Sequence, residues 1–200
     1  PGAATFTASA VGASITVDNA ANTFGSTVTF APAGGGLANV TVVDDTTLDL
    51  AALSLSGNLA ITATGITQSG AFTVTGTTTL TAGALNDIPL AAANNCGGAV
   101  SVVSANNVTL NDINNAIDLG ASTISGTLSV TTTTGTITDS GVLAVTGVTT
   151  LADLGNHRAA ADVDDDAVRP QRFQHLLVDD VPRLGSAGGH DHQHVAALRQ

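Results

Sequence analysis

The 200-residue chain contains no Trp, Tyr, Met, Lys or Glu and only five Phe. Glu, Lys and Met favour helices, so their absence disfavours a helical fold. Burial must come from Val, Leu, Ile, Ala and the methyl groups of Thr, and the β-branched residues among these fit the pleated surface of a sheet. Because 43% of the residues are hydrophobic, the chain has enough apolar material for a core. We therefore expect an all-β protein.

The charge balance excludes several kinds of partner. The net charge is -11 and Lys is absent, so the chain has little with which to displace counterions from a nucleic acid. We expect no nucleic-acid partner, and the acidic surface also repels anionic lipid. No apolar run approaches the roughly 18 residues that indicate a membrane span, so we expect no membrane insertion by this segment. The chain starts at Pro1 without Met, which we interpret as an internal segment of a longer protein.

Residues 1–154 contain an internal repeat. The stretch NTFGSTVTF, which begins at Asn22, matches NNCGGAVSV, which begins at Asn94. In step with it, LDLAALSLSGNLAIT matches IDLGASTISGTLSVT, and QSGAFTVTGTTTL matches DSGVLAVTGVTTL. The period is about 70 residues, and self-similarity at a fixed period is the signature of repeat architectures. We divide the region into a partial copy at about 1–21 and two copies at 22–93 and 94–154.

Each copy alternates apolar and polar residues. Phe72, Val74 and Leu80 share one parity, whereas Thr73 and Thr75 take the other. A period of two is typical of strands with one apolar face. Glycines separate these short runs at the positions where a strand has to turn or bulge.

Short tandem strands without intervening helices fit either a solenoid or a β-sandwich. The long recurrence favours the solenoid, because each unit then stacks on a near-identical neighbour. A coil of a parallel β-helix takes roughly 20 to 25 residues, so one repeat is expected to fill about three coils. We predict a parallel β-helix, with the β-sandwich as the alternative.

The repeat also resembles a known class of proteins. TAGALNDI, NVTL, STISGTLSVT and GTITDSGVLAVTGVTTL are similar to the β-strand repeats of bacterial filamentous-haemagglutinin-like and autotransporter-like surface proteins. The resemblance covers residues 1 to about 154. It implies a right-handed parallel β-helix that is secreted or displayed on the bacterial outer surface, and it carries no catalytic motif.

We therefore expect a structural or adhesive repeat segment of a large bacterial surface protein, with no catalysis and no cofactor in this segment. Its expected partners are neighbouring repeats of the same chain and a host surface or extracellular matrix. The alternatives are a carbohydrate-active β-helix enzyme fragment and a calcium-stabilised β-roll. Residues 1–154 contain no Glu, Lys, Arg, His, Trp or Tyr, so acid and base chemistry in an enzyme would fall to Asp alone.

Several residues in the repeat invite a functional interpretation that a structural one outweighs. GALNDI, at 83–88, resembles a calcium-binding nonapeptide, but it occurs without tandem recurrence, so Asn86 and Asp87 are expected to form a turn. Recurrent polar positions indicate a structural role in the coil rather than an active site. They are the pairs Asp49 with Asp118 and Gln68 with Asp139.

The single cysteine and two sequons are also interpreted structurally. Cys96 stands where the first copy has Phe24, so we expect a small apolar residue at a buried position. A lone cysteine forms no intramolecular disulfide, which is compatible with an exported protein. NVT at Asn39 and Asn107 matches the N-glycosylation sequon, and we interpret it as strand sequence.

The amino-acid composition changes at Gly155, beyond which every Arg and His of the chain occurs. HDHQH places His190, His192 and His194 on one face of a strand, a pattern that suits a transition metal. A shift of one base, however, turns this stretch into codons rich in Thr. The same shift lets His157 become Ile or Thr and lets residues 170–174 spell NDF. We therefore interpret 155–200 as an out-of-frame translation or a disordered tail, and assign no metal, catalytic or cofactor-binding residue.

This interpretation predicts the nucleotide sequence around the codon for Gly155. Restoring one reading frame there should yield a third copy of the repeat, beginning with Asn-Asp-Phe or a close variant. Sequencing of the genomic DNA checks it. A continuation without such a copy contradicts the interpretation and favours a genuine acidic, His-rich tail.

Overall fold

The computed structural model describes residues 2–113 and 116–154, which form nineteen β-strands and no helix. Every strand pair within these ranges is parallel, and the strands stack as the coils of a solenoid. The predicted parallel β-helix is therefore confirmed, and the β-sandwich alternative is wrong, because its sheets would be built from antiparallel pairs. No helix in the described part of the chain has the length and apolarity that crossing a membrane requires.

The strands are short and follow one another closely. They are β1 (Ala4–Ala8), β2 (Ile15–Val17), β3 (Thr27–Pro32), β4 (Val40–Val43), β5 (Leu48–Leu50), β6 (Leu53–Leu55), β7 (Leu59–Thr62), β8 (Ile66–Gln68), β9 (Phe72–Val74), β10 (Thr78–Thr81), β11 (Ile88–Cys96), β12 (Val100–Ser104), β13 (Val108–Asp112), β14 (Ile117–Leu119), β15 (Ser122–Ile124), β16 (Leu128–Thr132), β17 (Ile137–Asp139), β18 (Leu143–Val145) and β19 (Thr149–Asp153).

Four parallel sheets run along the solenoid. We name them by their size: the four-stranded sheet (β1-β3-β5-β8), the seven-stranded sheet (β2-β4-β7-β10-β12-β14-β17), the six-stranded sheet (β6-β9-β11-β13-β16-β19) and the two-stranded sheet (β15-β18). In the seven-stranded sheet Val40 pairs with Leu59, Leu59 with Thr78, and Thr78 with Val100. Three coils therefore lead from Val40 to Val100, which places the length of a coil at the short end of the expected range.

The core lies inside the coils and consists of aliphatic side chains with two phenylalanines and Cys96. In β9, Phe72 and Val74 are buried and Thr73 is exposed, so the alternation in the sequence does divide inward from outward residues. Each fully buried Leu or Ile contributes roughly 1.5–3 kcal/mol. The largest fully buried side chains are Leu37, Leu48, Leu50, Leu55, Leu59, Ile61, Ile66, Leu80, Ile88, Leu90, Ile117 and Ile124.

Three phenylalanines pack together in the first two coils. The rings of Phe6 and Phe24 meet edge to face with centroids 5.6 Å apart, and the rings of Phe6 and Phe30 stack at 5.5 Å. Phe30 lies in the core, and Phe6 and Phe24 are partly buried against it. These aromatic side chains therefore fill the interior of the first coils. In later coils the interior is filled mainly by aliphatic side chains.

Glycines stack where the chain turns a corner between sheets. The N–H of Gly76 donates to the carbonyl of Gly57 at 2.9 Å, so adjacent corners touch through their backbones. A Cβ on Gly98 would lie 2.6 Å from the carbonyl oxygen of Gly76 and 2.7 Å from its carbonyl carbon. The obstacle is backbone, which cannot rotate away as a side chain can.

We expect Gly98→Ala to destabilise the solenoid by about 1–3 kcal/mol, because the added methyl group forces two coils apart. Gly36→Ala is the matched control, since a Cβ there meets nothing within 4 Å. Urea unfolding followed by circular dichroism measures both. Equal midpoints for the two variants would show that the corners tolerate a side chain.

Candidate functional site

A buried carboxylate follows β4 and accepts a backbone hydrogen bond from the preceding coil. Asp44 is 2% exposed. Its Oδ1 accepts hydrogen bonds from the N–H of Phe24 at 3.2 Å, from the N–H of Thr46 at 3.0 Å and from the Thr46 hydroxyl at 2.9 Å. Its Oδ2 is buried without a partner in the described part of the chain. The side chain therefore joins two coils at the point where the chain leaves the seven-stranded sheet.

The second repeat makes the same contact with different residues. Asp112, which is fully buried, accepts the N–H of Cys96 at Oδ2 over 2.7 Å. Cys96 is the counterpart of Phe24, and Asp112 stands one repeat after Asp44. The contact is therefore encoded by the repeat. Neither aspartate is among the predicted structural positions, although their spacing of one repeat equals that of Asn39 and Asn107 and is a signal in the sequence.

Cys96 is buried, as expected for a residue that replaces Phe24. Burial first, and then the neighbouring Asp112 carboxylate, raise the pKa of its thiol from 9.0 to about 12. The thiol therefore stays protonated at neutral pH, and a protonated thiol is a poor nucleophile. The arrangement makes Cys96 a core residue rather than a reactive one.

An exposed ladder of amides runs along one corner. The N–H of Asn58 donates to Oδ1 of Asn39 at 2.8 Å, and the N–H of Thr77 donates to Oδ1 of Asn58 at 2.8 Å. The Asn39 amide donates to the Ser14 hydroxyl at 3.0 Å. Each amide oxygen thus accepts an N–H from the next coil. The first sequon asparagine, Asn39, belongs to this ladder.

The predicted turn at Asn86 and Asp87 is formed by Asn86 but not by Asp87. Asn86 does close a turn, because its N–H donates to the carbonyl of Gly83 at 3.0 Å and its side-chain amide to the carbonyl of Ala82 at 2.8 Å. Asp87 instead reaches the next coil. Its Oδ1 accepts the backbone N–H of Asn107 at 2.9 Å and the Asn107 amide at 3.0 Å. The second sequon asparagine therefore lies in the same kind of corner ladder as Asn39.

The recurrent pair Asp49 and Asp118 also connects coils. Asp49 accepts the hydroxyl of Thr27 at 2.6 Å and that of Thr67 at 3.2 Å, which places three coils in one row. Its counterpart Asp118 accepts the Ser140 hydroxyl at 2.7 Å. The carboxylates of both copies thus bond to hydroxyl groups of neighbouring coils.

Gln68 and Asn94 form a two-way amide pair. The Gln68 amide donates to Oδ1 of Asn94 at 2.9 Å, and the Asn94 amide donates to Oε1 of Gln68 at 3.1 Å. Oδ1 of Asn94, which is 2% exposed, also accepts the N–H of Phe72 at 3.1 Å. The two side chains therefore tie three neighbouring segments of the solenoid together.

Within 2–113 and 116–154, no group of three or more His, Cys, Asp or Glu side chains is placed to hold a metal ion. The residues of the tail that sequence analysis weighed lie outside the described residues. They are His157, His190, His192, His194 and the stretch 170–174. Carboxylate and amide oxygens of the described coils accept hydrogen bonds from backbone and side-chain donors of adjacent coils.

Comparison with known families gives one match. The profile of a family described as repeats of unknown function (DUF5649) matches residues 37–103 and 105–164, so the two matched segments begin one sequence repeat apart. No curated protein matches the chain. No solved structure matches it either.

We expect Asp44→Ala to lower the free energy of unfolding by roughly 1–3 kcal/mol, because the partly buried N–H groups of Phe24 and Thr46 lose their acceptor. Asp45→Ala is the matched control, since it removes the same charge from an exposed neighbour whose contacts to adjacent coils use its backbone. Thermal and urea unfolding measure both variants. An effect of Asp45→Ala as large as that of Asp44→Ala would mean that charge, not capping, sets the stability.

Proposed function

We propose that this chain, which belongs to the family of repeats of unknown function (DUF5649), is a length of stalk in a large bacterial secreted or cell-surface protein. Its role is to extend and to present other parts of that protein, with no catalysis in this segment. The repeated solenoid is consistent with this role, because stacking copies of one unit lengthens a rod without creating a new kind of surface.

The observation that carries the proposal is the use of the polar side chains. Asp44 and Asp112 bond backbone N–H groups, and Asp49 bonds hydroxyl groups of two neighbouring coils. These are the groups that an enzyme would need for acid and base chemistry. In both repeats the equivalent carboxylates form hydrogen bonds that join neighbouring coils, which supports a structural role over a catalytic one.

The outward faces of the sheets support an adhesive role for the stalk in addition to its structural one. Outward positions of neighbouring strands carry hydroxyl groups in register, as at Thr109, Ser129 and Thr150. Hydroxyl groups both donate and accept hydrogen bonds, so such rows suit polar polymers of a host surface or an extracellular matrix. We propose that this segment also adheres to such a surface.

The proposal predicts where the protein is found. Antibodies raised against purified residues 1–154 should label intact cells of the source bacterium or detect the protein in the culture medium. Mild proteolysis of intact cells should remove the signal from the cells. A cytoplasmic protein detected in parallel serves as the control, because it should become accessible only after lysis. A signal that appears only in lysed cells would overturn the proposal.

A further inference from the structure

The strand order shows how the sequence repeat fits the coils. Three coils lead along the seven-stranded sheet from β4 through β7 and β10 to β12. One sequence repeat leads instead from β4 to β13, because NVTV from Asn39 corresponds to NVTL from Asn107. One repeat therefore contains three coils and one additional strand, rather than the three coils expected from its length. Its nine numbered strands fill ten positions, because the long strand β11 pairs with β13 near its start and with β9 at its end.

The extra strand moves every strand to another sheet. The correspondence of each strand with the ninth after it holds from β1 to β10. Strands β1, β3, β5 and β8 of the four-stranded sheet correspond to β10, β12, β14 and β17, which all lie in the seven-stranded sheet. Likewise, β2, β4, β7 and β10 correspond to strands of the six-stranded sheet, and β6 and β9 to the two-stranded sheet.

The pairing between strands repeats with the same offset. Val28 pairs with Leu50 in the first copy, and their counterparts Val100 and Leu119 pair in the second. Seven strand pairs have such a counterpart nine strands later in the chain. They are β1-β3 with β10-β12, β2-β4 with β11-β13, β3-β5 with β12-β14, β4-β7 with β13-β16, β5-β8 with β14-β17, β6-β9 with β15-β18 and β7-β10 with β16-β19.

We infer that successive repeats are related by a screw operation, a rise of three coils and one strand combined with a rotation to the next sheet. At about 4.8 Å per coil, the rise per repeat is roughly 16 Å. An array of these repeats therefore presents each surface feature around the rod and not along one side.

A protruding turn illustrates the consequence. Val11 lies in a turn after β1 and is 77% exposed, and Leu85 lies in the corresponding turn after β10 and is 90% exposed. The first turn leaves the four-stranded sheet and the second leaves the seven-stranded sheet. A partner that recognises a feature encoded once per repeat thus meets it on different sides of the rod. Such an array suits partners that surround it better than a single flat surface.

Nitroxide labels on introduced cysteines test the rotation in the full chain. Thr150 is the repeat counterpart of Thr79. Ser140 directly follows β17 of the seven-stranded sheet and lies three coils beyond Thr79, since the residues before them pair in turn: Thr78 with Val100, Val100 with Leu119 and Leu119 with Asp139. We expect the label distance in Thr79→Cys/Ser140→Cys to be short, with an axial separation of about 14 Å. The distance in Thr79→Cys/Thr150→Cys should be clearly longer, because the two labels then point from different sheets.

Electron paramagnetic resonance measures both distances, with continuous-wave spectra for the short range and pulsed spectra for the long range. The unsubstituted chain serves as the labelling control, since the buried thiol of Cys96 should not react in the folded state. Circular dichroism of each variant checks that it folds. A Thr79–Thr150 distance equal to or shorter than the Thr79–Ser140 distance overturns the screw relation. The measurement tests this geometry independently of whether the stalk role holds.

Discussion

The structure depends on hydrogen bonds between the backbones of adjacent coils. The N–H of Leu59 donates to the carbonyl of Thr77 and the N–H of Thr78 to the carbonyl of Ala99, each at 2.9 Å. Because each coil supplies the partners of the next, the strands must stay parallel and in register. A side chain that separates two coils breaks several of these bonds at once. The stacked glycines at the corners follow from this constraint.

The same constraint decides how the acidic coils of residues 1–154 form without basic side chains of their own. Residues 1–154 contain nine Asp and no Lys, Arg or His, so these coils have no side-chain cation of their own to neutralise the carboxylates. Burying a charge without compensation is costly. Asp44 and Asp112 meet that cost with backbone N–H groups, which the corners of a solenoid leave available. The acidic composition is therefore compatible with the fold because the backbone acts as the donor.

Much of the fold could be predicted because burial in a strand follows a period of two. The alternation around Phe72 and the replacement of Phe24 by Cys96 both identified core positions. The inter-coil role of Asp87 could not be predicted, since its partner Asn107 is one coil away and coil length is set by corners rather than by strand pattern. Asp44 and Asp112 were missed for a related reason: a carboxylate at a strand end has the composition of a turn, and only its partner shows that it is buried.

The additional strand in the repeat explains how two different periods coexist. A coil length is fixed by the strands and corners that close one turn, whereas a repeat length is fixed by duplication of a sequence. The two need not agree, provided that each strand meets the same neighbours in every copy. That condition is satisfied here, because Val28 with Leu50 and Val100 with Leu119 are the same pair in two different sheets. Selection for a stable core therefore acts on pairs of strands. The side of the rod on which each pair lies follows from the number of coils and strands in one repeat.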